Sequence, residues 1–342
     1  MSSLRVLVAM SGGVDSSVAA ALLLERGYDV TGVTLKLWGG ESDSGCCSVA
    51  DVEDARRVAA QLDIPHYVFN FTDDFGARVV DPYVEAYASG STPNPCVECN
   101  RVIKFGRLFD RAEALGFDSV ATGHHARVQQ RDGSWLLVRG ADRAKDQSYV
   151  LYMLTQRELA RTLLPVGDLT KAEVRAHAAR LGLRTAAKPE SMDVCFIKKG
   201  GRRDFLASRV TAPPGDIVAS DGTALGTHHG VTEFTIGQRR GVHVAAGERR
   251  YVVDIDAPRA TVTLGSRDQL LRYEVRVRHL TFVGEPPVSH ALAAQVRAHG
   301  DPIAAELVGD VVRFDVPQPR VAPGQVVALY DADVLVGGGL AA

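Results

Sequence analysis

Apolar residues recur with two different spacings in the first half of the chain. Short apolar runs of strand length alternate with segments in which apolar residues recur every three or four positions, the spacing of a helix. This alternation predicts an α/β fold with a parallel sheet covered by helices. The predicted strands are 4–10, 30–38, 67–71 and 119–122, and the predicted helices are 18–24, 50–62, 75–88, 103–115 and 170–181.

The pattern changes after residue 205 to short runs of β type with few helical stretches. Turn residues such as Pro213-Pro214-Gly215 and Asp221-Gly222 separate these runs. We predict a small β-rich central domain with strands at 251–255 and 261–264. It is followed by a small closed β-barrel with strands at 275–283, 293–298, 311–316 and 326–330. The predicted domains are therefore 1–205, 206–267 and 268–342.

Prolines and capping residues set several of the predicted boundaries. Pro82 divides or restarts the helix predicted for 75–88. Thr170 and Glu173 have the spacing of a capping box at the start of the 170–181 helix. The two prolines within residues 90–95 forbid regular structure there, so the two cysteines that follow are predicted on an exposed loop or at a helix start.

Composition limits the class of protein. The chain has 342 residues, of which 46% are hydrophobic and 23% charged, as expected of a globular protein with two or three cores. No apolar run approaches the roughly 18 residues of a membrane span, and the N-terminus lacks signal-peptide features. We therefore predict a cytoplasmic protein without membrane attachment.

Five cysteines are an odd number for a disulfide framework. The net charge of −2 means that a nucleic-acid partner would need a local basic patch.

A glycine-rich turn between the first strand and the first helix is the strongest candidate for a binding site. Residues 11–17 read SGGVDSS. The first amides of a helix lack intrahelical partners and favour an anion, and Gly12 and Gly13 let the backbone approach a phosphate closely. Asp15 would repel a bare phosphate, so its presence suggests a magnesium ion between them. The turn is neither a Walker loop nor a dinucleotide fingerprint. A plain turn before a helix is the alternative.

Three segments are predicted to emerge at the same edge of the parallel sheet. Ligands of such sheets bind beyond the carboxyl ends of the strands. The glycine turn, the segment Gly123-His124-His125 and the cysteine segment after residue 95 all leave the sheet there. We therefore expect them to share one site.

The cysteines allow several interpretations from the residues alone. Cys96 and Cys99 have the spacing of a metal or redox pair, but no second pair completes a zinc site. Cys195 lies in the apolar run 192–197, which favours a buried strand with a core thiol. Cys46 and Cys47 lie in a stretch rich in Gly, Ser and Asp and receive no role.

Seven motifs together give a specific resemblance. The glycine turn alone resembles the pyrophosphate (PP) loop of the ATP pyrophosphatases. The whole chain resembles the tRNA-specific 2-thiouridylases. That resemblance implies an adenine nucleotide alpha hydrolase-like domain, a small central domain and a C-terminal β-barrel. The motifs, in order, are SGGVDSS, TPNPCVECN, ATGHHAR, KDQSYVLY, MDVCFI, FTIGQRRG and PGQVVALYDADVLVGGG.

The resemblance also implies a two-step reaction at a wobble uridine of tRNA. ATP first adenylates the 2-carbonyl oxygen, and sulfur from a cysteine persulfide then replaces it. It assigns Cys195 as the persulfide carrier, Cys99 as the thiol that resolves the persulfide and Asp15 as a catalytic residue of the loop. The implied cofactors are ATP and Mg²⁺. The implied partners are tRNA and a cysteine desulfurase or sulfur-relay protein, and we expect a monomer.

The same resemblance assigns the binding residues by motif position. ATP-contacting positions are Ala9, Met10, Ser11, Gly12, Gly13, Val14, Asp15, Ser16, Leu35 and Gly123. Positions that face the target base or contact tRNA are Asn94, Pro95, Cys96, His124, Lys145, Asp146, Gln147 and Gln325.

Three other readings stay open at this point. Cys96 replaces an aspartate of some family members, so that Cys96, Cys99 and Cys195 would serve as ligands of an iron-sulfur cluster in a rival mechanism of the same reaction. A PP-loop ligase acting on a small metabolite would need only the first loop. A binding protein without catalysis would leave the intact motifs unexplained.

Overall fold

A computed structural model describes residues 3–38, 48–189, 194–197, 201–242, 244, 249–287 and 291–342. Cys46 and Cys47 lie outside these residues, as do residues 192–193 of the apolar run around Cys195. Among the residues described, no helix has both the length and the apolar character needed to cross a membrane.

Strands and helices alternate through the N-terminal part, as the sequence pattern predicts. The elements are β1 Arg5–Ala9, α1 Val14–Glu25, β2 Asp29–Lys36, α2 Val49–Gln61, β3 His66–Asn70, α3 Thr72–Phe75, α4 Asp81–Ala88, α5 Pro95–Glu98, α6 Leu108–Ala114, β4 Ser119–Ala121, β5 Ala126–Arg131, β6 Ser134–Arg139, α7 Gln156–Leu159, β7 Thr162–Leu163, α8 Lys171–Arg180 and α9 Arg202–Ala207. π-Helical turns at Gly76–Val80 and Cys99–Arg107 join α3 to α4 and α5 to α6.

The C-terminal part consists almost entirely of strands. They are β8 Gly215–Ala219, β9 Ala224–His228, β10 Tyr251–Asp256, β11 Thr261–Gly265, β12 Leu271–Phe282, β13 Leu292–Gln295, β14 Ile303–Val308, β15 Val311–Pro319, β16 Val326–Asp331 and β17 Val334–Ala341.

The first sheet is parallel and has the strand order β3-β2-β1-β4-β7. Val6, Leu7 and Val8 of β1 are fully buried because helices cover both faces. One face packs against α1, α2 and α8, and the other packs against α3, α4 and α6. The chain leaves β1 toward β2 on one side, while β4 lies on the other side. The carboxyl ends of β1 and β4 therefore form the switch point where such sheets bind ligands.

The C-terminal strands close into a barrel, which confirms the predicted fold class. Six strands follow the order β12-β15-β14-β13-β16-β17, and β12 also pairs with β17, so the sheet closes on itself. The hairpin β5–β6 pairs with β17 and extends this sheet. The sequence reading missed the hairpin because β5 has few buried positions, although Asp132-Gly133 at its tip is a common hairpin turn. β8 to β11 form a separate four-stranded central sheet.

Two local predictions need correction or refinement. The described residues around Cys195 form a turn, closed by a 3.2 Å hydrogen bond from Ile197 N–H to the Val194 carbonyl, so the predicted strand is wrong there. The run is apolar because Phe196 fills a core cluster. The helix predicted for 75–88 is interrupted as expected, because α4 restarts with Pro82 in its first turn.

The glycine turn is fixed by close packing against α2. Gly12 has a φ of +71°, a conformation that favours glycine, and a Cβ added to it would lie 2.9 Å from Asp51 Cα. Asp51 is held in the first turn of α2 by a capping box with Ser48. The position therefore needs glycine both for its backbone conformation and for the space that it leaves.

A buried ion pair ties the hairpin to the barrel. Arg139 donates to Asp146 at 2.9 Å, and both side chains are less than one-tenth exposed. The Arg139 guanidinium also donates to Gln295 Oε1 at 2.8 Å and lies 3.7 Å from the centre of the Tyr330 ring. Removal of either partner would leave an uncompensated charge inside the protein.

We predict that Gly12→Ala destabilises the protein by more than Gly27→Ala. Gly27 is the matched control because its φ is +81° but no atom lies within 4 Å of an added Cβ. An alanine in this conformation costs about 1–2 kcal/mol, and only at position 12 does a backbone collision add to that cost. Urea unfolding of both variants checks the prediction. Equal losses would show that Asp51 moves aside freely.

We predict that Asp146→Ala lowers the free energy of unfolding by about 3–5 kcal/mol, because Arg139 would stay buried without its partner. The control is Asp333→Ala. It removes a half-exposed pair with Arg143 at 2.5 Å and should cost at most about 1 kcal/mol. Chemical denaturation of both variants measures the difference. A cost as small as that of the control would mean that water or Gln295 replaces the Asp146 carboxylate.

Candidate functional site

The glycine turn leaves the start of α1 open to a ligand. Gly13 is the N-cap residue and has no side chain with which to cap the helix amides. Ser16 Oγ accepts from Ser11 N–H at 3.1 Å, and Ser17 Oγ donates to the Gly13 carbonyl at 2.8 Å, so hydroxyls brace the turn from within. A helix start with a dipole and unpaired amides suits a phosphate group.

The other predicted ATP positions surround this turn. A Cβ on Gly123 would lie 2.6 Å from Ser16 N, so glycine there lets the end of β4 approach the start of α1. Met10 directly follows β1, and Leu35 lies near the end of the neighbouring strand β2. Their side chains are buried on opposite faces of the sheet. These two residues therefore offer mainly backbone atoms to a nucleotide. The glycine turn and the segment Gly123-His124-His125 therefore meet at one sheet edge, as the sequence predicts.

Asp15 is the most connected polar group of the site. Its carboxylate accepts from Lys171 Nζ at 2.6 and 2.7 Å, and its Oδ1 lies 3.1 Å from His125 Nε2. Burial acts to raise the pKa of Asp15, but the hydrogen bonds from His125 and Lys171 outweigh burial and hold the pKa below its ordinary value. The carboxylate is thus ionised at neutral pH.

Sequence reasoning missed both partners of Asp15. Lys171 was noted only as a member of the capping-box segment, and His125 was predicted to lie near the glycine turn but not to pair with Asp15. The tertiary fold brings them to the loop from 156 and 110 positions along the chain. In the sequence, the available signal for Lys171 was its place at the start of a capped helix.

His124 lies beneath the site surface rather than on it. Its ring is buried, its Nδ1 lies 2.7 Å from Thr122 Oγ1, and its centre lies 6.0 Å from that of the Phe105 ring. Burial lowers the pKa of His124 well below its ordinary value, with Lys104 and His125 adding to the effect. The ring is therefore neutral, and RNA would not reach it without a rearrangement.

The predicted tRNA segment 145–147 also has internal partners. Asp146 accepts from Gly140 N–H at 2.9 Å and from Ser148 N–H at 3.1 Å, in addition to its ion pair with Arg139. Gln147 Oε1 accepts from His125 N–H at 3.0 Å, and Gln147 is exposed. The segment therefore fixes the backbone of His125, while Gln147 and Lys145 face outward enough to reach a ligand.

The barrel contacts the segment that carries the first cysteine pair. Gln325 Nε2 donates to the Thr92 carbonyl at 2.5 Å, and Thr92 N–H donates to the Pro323 carbonyl at 2.7 Å. Asn94 Oδ1 accepts from Cys96 N–H at 3.0 Å and so caps the short helix that begins at Pro95. The structure therefore brings Gln325 to the segment that holds Asn94, Pro95 and Cys96.

Cys99 and Cys195 border one apolar cluster. Cys99 is buried, which favours the helix-start prediction over an exposed loop, and Cys195 is half-buried at the edge of the cluster. Phe196, next to Cys195, packs against Phe75 and Tyr83 with ring centres 5.6 and 5.5 Å apart. Burial raises the pKa of Tyr83, and Tyr87 and Cys96 add to the rise.

This cluster also reaches the edge of the sheet at which the glycine turn lies. Leu35 and Leu37, at the carboxyl end of β2, belong to the cluster that Cys99 joins. Cys99 and the carboxyl end of β2 therefore border the same apolar cluster.

The three cysteines do not form a metal site in the part of the chain that the structure covers. Within the described ranges, no group of three or more His, Cys, Asp or Glu residues is arranged to hold a metal ion. The residues present therefore do not fit the iron-sulfur cluster of the rival mechanism. A Mg²⁺ ion needs fewer protein ligands, because it commonly uses one or two carboxylates together with substrate phosphates. Asp15 supplies one such carboxylate.

Family models match almost the whole chain. Residues 4–199 match the model described as the tRNA methyl transferase HUP domain, and residues 203–266 match the PRC-barrel domain of the same group. Residues 268–341 match an aminomethyltransferase beta-barrel domain.

Curated relatives match over nearly their full length. A tRNA-specific 2-thiouridylase MnmA of a Roseiflexus species is 47% identical, with 98% of both chains covered. The enzyme of the same name from Moorella thermoacetica is 48% identical, with 97% of this chain and 98% of the relative covered.

Among solved structures, the U34-tRNA thiolase NcsA of Methanococcus maripaludis with its [4Fe-4S] cluster is 18% identical. It covers 60% of this chain and 64% of its own, with a TM-score of 0.38. On its sequence, the chain belongs to the family of tRNA-specific 2-thiouridylases.

Proposed function

We propose that this protein uses ATP and a cysteine persulfide to convert the wobble uridine of tRNA to 2-thiouridine. The observation that carries the proposal is the placement of Cys99 and Cys195 on one apolar cluster that ends at the phosphate loop edge. A phosphate loop alone would suit many adenylating enzymes. Two cysteines beside it are what sulfur transfer requires.

The first step activates the base. The uridine O2 attacks the α-phosphorus of ATP, the bond from this phosphorus to the bridging oxygen breaks, and pyrophosphate leaves with the electron pair. The N3 proton of the base is released. The open amides of α1 bind the phosphates, and Gly12 and Gly123 provide the room for their close approach. Asp15 would hold Mg²⁺, which supplies neutralisation of the phosphate charge.

The second step replaces oxygen by sulfur. The terminal sulfur of a Cys195 persulfide attacks C2 of the adenylated base, a carbon-sulfur bond forms, and AMP leaves with the oxygen. The Cys99 thiolate then attacks Cys195 Sγ, the sulfur-sulfur bond of the persulfide breaks, and 2-thiouridine is released. The remaining Cys99–Cys195 disulfide is reduced by two cellular thiol groups, which supply two electrons and end as a disulfide themselves. A cysteine desulfurase or relay protein then reloads Cys195.

Several assignments belong to this proposal. Residues 1–205 carry the chemistry, 206–267 form the central domain, and 268–342 form a barrel that contacts tRNA through Gln325. Lys145 and Gln147 lie beside the catalytic loop, so they would contact the anticodon region. We propose a cytoplasmic monomer, since the site is complete within one chain. A ligase for a small metabolite would leave the barrel contact with the cysteine segment without a role.

We predict that Cys99→Ser and Cys195→Ser each reduce 2-thiouridine formation by at least about 100-fold, because each removes an obligatory sulfur nucleophile. Protein, ATP, Mg²⁺, a sulfur donor and unmodified tRNA are incubated, and nuclease digests are analysed for 2-thiouridine. Release of pyrophosphate in the presence of tRNA should stay within a few-fold of the unsubstituted protein. Full thiolation by either variant would contradict the persulfide mechanism.

We predict that Asp15→Ala blocks adenylation but leaves persulfide loading intact, because Asp15 belongs to the phosphate loop and not to the cysteine cluster. Pyrophosphate release measures the first process, and mass spectrometry of Cys195 after exposure to a sulfur donor measures the second. If both are lost together, the two half-reactions are not separable in this fold.

A further inference from the structure

The phosphate loop supplies no cation of its own for a highly charged ligand. Residues 11–17 contribute glycines, hydroxyls and one carboxylate, and the dipole of α1 offers only a partial positive charge. A nucleoside triphosphate bound there needs a full positive charge from elsewhere in the chain. The fold brings Lys171 to this place from the start of α8.

Lys171 is held in position from its backbone outward. Its N–H donates to Asp142 Oδ2 at 2.9 Å, and the capping box of Thr170 and Glu173 fixes the first turn of α8. Only 13% of the side chain is exposed, whereas Asp15 is 30% exposed. An ammonium group with so little freedom loses less entropy when it binds an anion than a surface lysine would.

The ion pair of Lys171 occupies the carboxylate that a magnesium ion would use. The ammonium lies within 2.7 Å of both oxygens of Asp15. An ammonium that contacts both oxygens competes with a divalent cation for them, because the two positive charges repel each other. When Asp15 serves the metal, Lys171 needs another anion. The phosphates of a nucleotide at the glycine turn would provide that anion, and the flexible stem of a lysine allows the move.

We propose that Lys171 is a catalytic residue that exchanges Asp15 for the phosphates of ATP. In the free protein it neutralises Asp15. In the complex it contacts the phosphates and neutralises the charge that grows on the pyrophosphate as the bond to the α-phosphorus breaks. It thereby fills the role that a lysine within the loop fills in Walker-type sites. This inference rests on the proposed adenylation step.

A purely structural role makes a different prediction. If Lys171 only neutralises Asp15 and holds α8 against α1, its contribution to ATP affinity disappears once Asp15 is made neutral. If it binds phosphate, its removal still costs affinity when Asp15 is already asparagine. Comparison of Asp15→Asn, Lys171→Met and the double variant therefore separates the two roles.

The test measures equilibrium binding of ATP and AMP by calorimetry in the presence of Mg²⁺. We expect Lys171→Met to weaken ATP binding about 10- to 100-fold, the usual value of a charge-assisted contact, and AMP binding by less than about 3-fold. The ATP loss should persist in the Asp15→Asn background. Lys171→Arg should recover most of it. Arg180→Met is the control, since Arg180 lies in the same helix and pairs with Glu25 at 2.8 Å on the surface.

Two results would overturn the inference. One is unchanged ATP affinity of Lys171→Met. The other is a double variant that binds ATP as well as Asp15→Asn alone, which would leave Lys171 as a counter-ion only. Thermal melting and the arginine variant distinguish loss of folding from loss of contact. The binding assay contains neither tRNA nor a sulfur donor, so it is independent of the thiolation assay. If Lys171 contributes to ATP binding but the thiolation assay yields no 2-thiouridine, the proposed function is refuted and this inference stands.

Discussion

The carboxylate of Asp15 is the interaction around which the N-terminal site is assembled. It joins three elements, because α1 carries it, the loop after β4 presents His125 to it, and α8 presents Lys171. A partly buried carboxylate is stable only with such partners, since burial alone would favour its neutral form. The same pairing that stabilises the fold thus stores a cation beside the phosphate loop. The proposed ligand binding and the neutralisation of charge in the fold thus depend on one group.

Close backbone packing is the second constraint. Gly12 of the glycine turn lies against α2, and Gly123, which follows β4, lies against the start of α1. A Cβ added at either position would collide with the neighbouring backbone. Gln147 Oε1 accepts from His125 N–H and so helps to fix the backbone of His125. A residue predicted to contact RNA therefore also helps to orient a partner of Asp15.

The two cysteines show how much a pattern can reveal and where it fails. The motif around Cys195 identified the residue, but the apolar run there was misread as a strand, because a turn whose aromatic residue fills a cluster has the same composition. Burial of Cys99 follows from the helix that begins at Pro95, which Asn94 caps. The arrangement of Cys96, Cys99 and Cys195 decided against a metal site in the described residues, a question that spacing left open.

The sequence by itself determined the alternating α/β half, the β-rich C-terminal half, the glycine turn and the cysteine motifs, because each depends on local periodicity or on a short motif. Tertiary structure alone decided that the β5–β6 hairpin extends the barrel sheet and that Gln325 reaches Thr92. It alone brought Lys171 to Asp15 across 156 positions. Such contacts arise from chain topology and side-chain reach, and neither leaves a periodic signal in the sequence.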